Sequence, residues 1–517
     1  MKFFNPKFSH IPLSRRSFLR GATAALGAAW VTPDIRFAGR ELSLGKAYAQ
    51  AMGASRPINF IEINLRDQWD FGHVFVPPGI ATETGPIIRG GNGRKLPLYY
   101  RHDELIDKGN GFYLTPSSTA LAPHLDNIAV LETCELSIGR IHGHEAANAT
   151  RSPGRGYSDG GGGRLPMWRN EPGYVEQGNE PHYSSTPTPA SLHNYWQKQL
   201  GGLMRNGIAL KGISRFHNCY HFAAGFPDAE LDRIQSKTAL FDAFPLDPNA
   251  YNILESAQEA ERLGRLLKTI DARFLDRRKY SEISALDHTE QLKGLNRQLY
   301  WGQSGSVSLP LTDEETEYWS QGVPAQVGNP GGIKFQIWEQ VAYAFKLIES
   351  NMATSVALEF DYVDVHDSRP VEMIDVMALQ SAIPLARLIE KLKEANLFDN
   401  TVIAVYSLDG GRSPAANSSG NEGKNTVILA GGGIQGGYFG DVKIAGPKLD
   451  GHKFSYHRPD VVSGIANPMG TEHNGMRTPG RDIWRTLMQA LTIPKEVYET
   501  LPDVMGAKTL DFMLRNT

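Results

Sequence analysis

From residue 335 to the end of the chain, amphipathic helical stretches alternate with short, β-branched apolar runs. Phe335–Ser350 carries apolar residues at spacings of three and four, Thr354–Phe360 has strand character, and Val371–Ala395 is a longer helical stretch. Thr401–Leu408 and Thr426–Ala430 again read as strands, and Arg481–Leu491 as a closing helix. Two earlier runs, Pro57–Leu65 (PINFIEINL) and Asn127–Leu131 (NIAVL), have the same strand character. A helix between successive strands lets them run in one direction, and such a sheet must be covered on both faces. The pattern therefore predicts an α/β fold, with a mainly parallel sheet and helices on both faces.

The 517 residues are 41% hydrophobic and 21% charged, enough apolar content for a large core and far from a disordered composition. The 53 glycines and 31 prolines point to long loops. The clearest is about 151–188, where Gly160–Gly163 stands without a strand before it or a helix after it, so it is not a phosphate cradle. Ala120–Leu125 and Pro189–Leu200 read as shorter helices, and residues 251–300 have strong helical spacing. The range of about 225–330 is expected to form a helical excursion over the sheet. A net charge of -3 gives no electrostatic case for nucleic acid or an anionic membrane surface. Two cysteines, Cys134 and Cys219, allow one disulfide or two separate thiols.

Residues 1–49 read as a targeting segment. Ser14-Arg15-Arg16-Ser17-Phe18-Leu19 has the form of a twin-arginine signal, Gly21–Val31 is an apolar stretch, and Ala47-Tyr48-Ala49 offers the small residues of a cleavage site. The apolar stretch is too short for a permanent membrane span. The expectation is export in the folded state through the twin-arginine translocon. The product, residues 50–517, would be one periplasmic or extracellular domain with no stable membrane span.

In a parallel α/β sheet, ligands gather outside the carboxyl ends of the strands. Four of the runs lead into polar clusters. The first leads to Asp67 and Asp70, and the second to His142 and His144. The third leads to Asp361, Asp364, His366 and Asp367, and the fourth to Asp409, Gly410, Gly411 and Arg412. Carboxylates and imidazoles are ligands of Zn, Ca, Mg and Mn ions. Singly, each cluster is as compatible with a solvated turn. His452, His457 and His473 follow in the C-terminal part, and His473 in Gly-Thr-Glu-His-Asn-Gly is the best placed to complete a site. Thr150 and Ser152, after the histidine pair, are candidate nucleophiles, and the planar fork of Arg412 suits an oxyanion.

The set resembles the twin-arginine-exported domain-of-unknown-function 1501 family, distantly related to sulfatases and alkaline phosphatases. The resemblance rests on Asn64-Leu65-Arg66-Asp67-Gln68-Trp69-Asp70, His142-Gly143-His144-Glu145-Ala146, Asp364-Val365-His366-Asp367 and Asn396-Leu397-Phe398-Asp399-Asn400-Thr401. Gly411-Arg412-Ser413-Pro414, Gly431-Gly432-Gly433 and Leu491-Thr492-Ile493-Pro494 complete it. It implies an alkaline-phosphatase-like fold in which Asp70, Asp364 and His366 occupy metal-binding positions. It also implies one or two divalent ions that clamp a phosphate or sulfate ester of a small molecule or polymer while a hydroxyl attacks.

The sequence departs from that pattern in two places. Where relatives carry an Asp-His pair, this chain has Asn421-Glu422-Gly423-Lys424-Asn425, and the acid before Gly-Arg is displaced to Asp409. Lys424 would set a positive charge where a second cation belongs. Neither cysteine lies in the C-x-P-x-R setting of a sulfatase's modified cysteine, which argues against a standard sulfatase. The alternative reading is a non-catalytic envelope ligand-binding protein that keeps the fold with a degraded metal site.

Overall fold

The run NFIEINL becomes β1 (Asn59–Leu65), a central strand of a nine-stranded sheet in the computed structural model of the protein. The structure describes residues 35–37, 40–42, 59–65, 74–82, 102–135, 174–177, 180–183, 206–211, 231–234, 236–243, 309–325, 335–350, 353–360, 371–407, 425–444, 454–468, 478–499 and 506–515, with residues 72, 192 and 504. Two units are distinguished, Met1–Pro57 with Ala243–Ser308, and Ile58–Asp242 with Leu309–Thr517. Within the first, Ile35–Phe37 and Arg40–Leu42 form an antiparallel hairpin. Everything that follows concerns the second.

Its sheet is built from β1, β2 (Ile128–Glu135), β3 (Asn206–Lys211), β4 (Leu231–Ile234), β5 (Ala353–Phe360), β6 (Thr401–Ser407), β7 (Asn425–Gly431), β8 (Gly437–Phe439) and β9 (Thr478–Pro479). The spatial order is β4-β3-β5-β1-β6-β7-β2-β8, with β9 alongside the end of β2. Only β7 runs against the others. The mainly parallel α/β fold expected from the helix–strand alternation is thus present. Four strands were not anticipated, β3, β4, β8 and β9. β4 falls inside the range expected to be a helical excursion, which also contains helices Lys237–Ala243 and Asp313–Ser320. Residues 251–300 lie outside the described residues. Within the glycine-rich range of 151–188, Tyr174–Gln177 and Glu180–Tyr183 form a hairpin. The expected helix Pro189–Leu200 lies outside the described residues apart from Leu192.

The helices form where the spacing places them and end for local reasons. α1 (Asp313–Ser320) begins with a reciprocal cap in which the Glu315 backbone N–H donates to Thr312 Oγ1 (3.1 Å) and the Thr312 N–H donates to Glu315 Oε2 (2.8 Å). Glu315 also pairs with Lys346 at 2.7 Å, tying α1 to α2 (Ile337–Glu349), whose apolar residues are buried. α3 (Val371–Glu394) ends where Asn396 adopts a φ of 56°. The Leu397 N–H then reaches back to the Leu392 carbonyl at 2.8 Å, closing the helix before β6 begins. Gly432 is required close by, because a Cβ there would lie 2.3 Å from Asp399 Cα. The Asn396–Thr401 segment and the glycine triplet are therefore two sides of one packing contact. α4 (Gly480–Ala490) follows β9 and buries Ile483, Trp484, Leu487 and Met488.

The two faces of the sheet differ. On one face the residues in register across six strands are Leu210, Leu358, Ile63, Val405, Ile428 and Val130, all buried. One residue over, on the opposite face, the row reads Ala209, Ala357, Glu62, Ala404, Leu429 and Ala129. The next row of that face, toward the carboxyl ends, is Lys211, Glu359, Asn64, Tyr406, Val427 and Leu131.

Candidate functional site

The strand directions define one chemically crowded edge. β1, β5 and β6 lie side by side and end at the same level, with Leu65 in register with Phe360 on one side and Ser407 on the other. Neighbouring strands are about 4.8 Å apart, so these three ends span roughly 10 Å. β2 ends at the same edge. β7, being antiparallel, starts there, with Asn425 opposite Cys134, and β9 starts there too, with Thr478 opposite Cys134.

Every segment bearing a candidate ligand joins the sheet at this edge. Asp70 stands five positions after Leu65 in the sequence, Asp364 and His366 four and six after Phe360, and Asp409 and Arg412 two and five after Ser407. His142 and His144 stand seven and nine positions after Glu135, followed by Thr150 and Ser152, and His473 stands five before Thr478. These ten residues themselves lie outside the described residues. Among the described residues there is no group of three or more His, Cys, Asp or Glu side chains able to hold a metal ion.

What is described at the edge is the framework beneath those segments. At the end of β2 the ladder to β7 is interrupted by a bulge between the Leu131–Val427 and Cys134–Asn425 pairs. Glu132 organises it. Its carboxylate accepts from Tyr438 Oη at 2.9 Å, from Thr426 Oγ1 at 3.2 Å and from the Thr133 backbone N–H at 3.2 Å. Thr133 takes up a φ of 64°, a left-handed conformation that is costly for a β-branched side chain. It is fully buried, and its hydroxyl has no hydrogen-bond partner among the described residues. Cys134 is a free, buried thiol, and Cys219 lies outside the described residues. Burial, reinforced by the charge of Glu132, pushes that thiol well above the usual range and makes it a poor nucleophile.

Three further polar side chains sit beneath the edge, on the alanine-rich face, and were not among the candidates. Glu62 and Asn64 are 0% exposed on β1, and Tyr406 is 1% exposed on β6, in register with Asn64. Burial, together with the charge of Glu62, holds the Tyr406 hydroxyl well above the usual phenol range. The signal was present in PINFIEINL, where the alternate positions Glu62 and Asn64 are polar in an otherwise apolar strand.

A second framework element lies beside β2. Asp441, on the strand Asp441–Ile444, accepts from the Gly79 N–H at 2.7 Å and from the Val442 N–H at 2.8 Å. This anchors the short helix Pro78–Ala81, which follows the segment carrying Asp67 and Asp70. Burial raises the Asp441 carboxyl above its ordinary range, and the two backbone donors only partly offset this. No helix among the described residues is long and apolar enough to cross a membrane.

The family model described as "Protein of unknown function (DUF1501)" matches residues 231–497, just over half of the chain. No curated protein matches it. Among solved structures, the PsFucS1 sulfatase from Pseudoalteromonas sp. is 14% identical, with 91% of this chain and 74% of that chain covered and a TM-score of 0.35. The alkaline phosphatase from the Antarctic bacterium TAB5 is 10% identical, with 72% and 91% covered and a TM-score of 0.29. The lipoteichoic acid synthase LtaP from Listeria monocytogenes is 9% identical, with 89% and 94% covered and a TM-score of 0.29. At such scores the assignment of the fold class rests on the strand order and directions given above.

Proposed function

The chain belongs to the DUF1501 family of proteins of unknown function, and from that premise we propose that it is an exported hydrolase-like protein that uses a divalent cation to act on a phosphate or sulfate ester. The observation that carries this reading is the shared edge. Segments far apart in sequence, each rich in carboxylates or imidazoles, all join the sheet at the carboxyl ends of β1, β2, β5 and β6 or at the starts of β7 and β9. That edge is where a parallel α/β sheet builds its sites.

Hard carboxylate oxygens with imidazole nitrogens fit a Zn, Ca, Mg or Mn ion. Asp70, His142, His144, Asp364, His366, Asp409 and His473 are the residues that would hold it. Such an ion supplies Lewis acidity toward an ester oxygen and lowers the pKa of a hydroxyl. Arg412 would orient the anionic group through its paired N–H donors, and Thr150 or Ser152 would provide the attacking hydroxyl. Metal analysis of protein purified from the periplasm tests the reading. It expects at least one divalent ion per chain and turnover of a phosphate or sulfate ester. Less than one ion, with no turnover, overturns it. Asp364→Ala should weaken metal affinity at least tenfold with the fold retained.

One observation favours a second reading, a ligand-binding protein of the envelope without catalysis. β7 starts at the same edge, and the residue that precedes it in the sequence is Lys424, a positive charge where the resemblance expects a ligand of a second cation. Ligand binding and biological activity that survive Asp364→Ala together with His366→Ala would decide for this reading.

A further inference from the structure

One imidazole ties several elements together where β2 and β6 begin, at the edge of the sheet opposite the candidate ligands. His124 is buried in the 3-10 segment Pro116–Asn127, which leads into β2. Its Nδ1 lies 3.4 Å from Lys393 Nζ, in the last turn of α3, and its Nε2 lies 3.5 Å from Glu390 Oε1, one turn earlier on the same helix. The other Glu390 oxygen accepts from Tyr318 Oη of α1 at 3.0 Å. Lys393 Nζ also stands 5.0 Å from the centre of the Phe398 ring, in the turn that leads into β6. An ammonium group has donors and no acceptor, so the ring nitrogen facing it must offer a lone pair. The proton of the neutral ring then sits on Nε2, facing the carboxylate. The neutral imidazole accepts on one side and donates on the other, and the Pro116–Asn127 segment is joined through it to α3 and α1.

Protonation of Nδ1 would remove that acceptor and set two cationic N–H groups face to face across the same 3.4 Å. Lys393 is exposed, so it is free to turn into water, and the response is release of this contact rather than unfolding. We propose that His124, Glu390 and Lys393 form a pH-sensitive latch between the Pro116–Asn127 segment and the last turns of α3, closed while the imidazole is neutral and opened by acid. Burial, with the Lys393 charge adding to it and the Glu390 charge opposing it, lowers the imidazole below its ordinary range. The latch is therefore fully present above about pH 6.5 and is lost as pH falls through the lower value of the folded protein. The strands packed against the same segment bring Tyr113 and Glu132, and the segment itself adds Asp126. Glu132 is engaged by Tyr438 and Thr426. Among the described residues, Lys393 and Glu390 are the charges that act on the ring. The latch does not depend on the ester-hydrolase reading, because none of its residues lies in the segments that carry the divalent-cation candidates.

The test is amide hydrogen exchange of the full chain at about pH 7.5 and about pH 5.5, on either side of the ordinary histidine range, with the intrinsic exchange rates corrected for pH. Mass spectrometry follows the peptides of Pro116–Asn127 and of the last turns of α3. A loss of protection of about three- to tenfold at the lower pH is expected in these two stretches and not in β1, β5 or β6. His124→Gln sets an amide oxygen toward Lys393 and an amide N–H toward Glu390 without a titrating group. It should keep the protection seen at the higher pH and abolish the response to acid. Lys393→Met, which removes the opposing charge and keeps the stem, should reduce the response. Equal protection at the two pH values overturns the proposal, as does a loss that persists in His124→Gln. A loss spread evenly over the chain also overturns it, since acid would then act on the whole fold. If His124→Gln fails to fold, a full-sized loss in Lys393→Met is the overturning result.

Discussion

The two faces of the central sheet use the same strands for different ends. One face presents an unbroken aliphatic row from Leu210 on β3 to Val130 on β2. The other, one residue along every strand, presents alanines around Glu62, with Asn64 and Tyr406 nearer the rim. Both faces are buried, so the difference is not between inside and outside. It is between a surface filled by large side chains and one that keeps large side chains away from a polar centre. The aliphatic face supplies burial energy at roughly 25 cal/mol per Å² of apolar surface. The alanine face gives up some of that energy to accommodate a carboxylate, an amide and a phenol.

Mutation can break this comparison. The largest effect is expected for Ile63→Ala, which removes a fully buried side chain from the middle of the aliphatic row. It should cost about 2–5 kcal/mol in urea unfolding, the transfer term plus the cavity left behind. A loss under about 1 kcal/mol would mean that the aliphatic face is not the main source of stability. On the other face, Ala404→Leu adds bulk next to Glu62 and should cost about 1–3 kcal/mol through overpacking. A stabilising Ala404→Leu would show that the alanine row leaves a void of no consequence.

The sequence carried the scaffold more clearly than the site. β1, β5, β6 and β7 were legible because each combines β-branched residues with buried length, and α2 and α3 because their apolar spacing is sustained. β3 (NGIALK) and β4 (LDRI) were missed. They are short, and β4 alternates charged residues in a region of helical spacing, so only pairing with β5 and β3 identifies them as strands. The acids and imidazoles after the strands were readable one by one. Their meeting at one edge was not, because it depends on strand order and direction, which are set by tertiary pairing. Thr133 was not readable at all, since nothing in LETCE announces a bulge with a left-handed threonine. Glu62 was visible as a polar residue in an apolar strand, but its alanine neighbours come from β5 and β6, distant in sequence.

The smallest effect expected compares two buried threonines of the sheet. Thr354, on β5, is fully buried at a register shift of the ladder to β3 but keeps a φ outside the left-handed region, whereas Thr133 is fully buried with a φ of 64°. Glycine at Thr354 loses buried side-chain contacts and adds unfolded-state entropy, with no backbone strain to relieve, so a cost of about 2 kcal/mol or more is expected. Glycine at Thr133 suffers the same losses but relieves a conformation that costs an L-residue roughly 1–2 kcal/mol. It also removes a buried hydroxyl that has no partner among the described residues. Thr133→Gly should therefore lie within about 1 kcal/mol of the unmodified protein in urea unfolding. Equal losses for the two substitutions would show that the bulge at the end of β2 stores no strain. A difference in the expected direction would mark Thr133 as a position where the fold tolerates a cost at the edge that carries the candidate ligands.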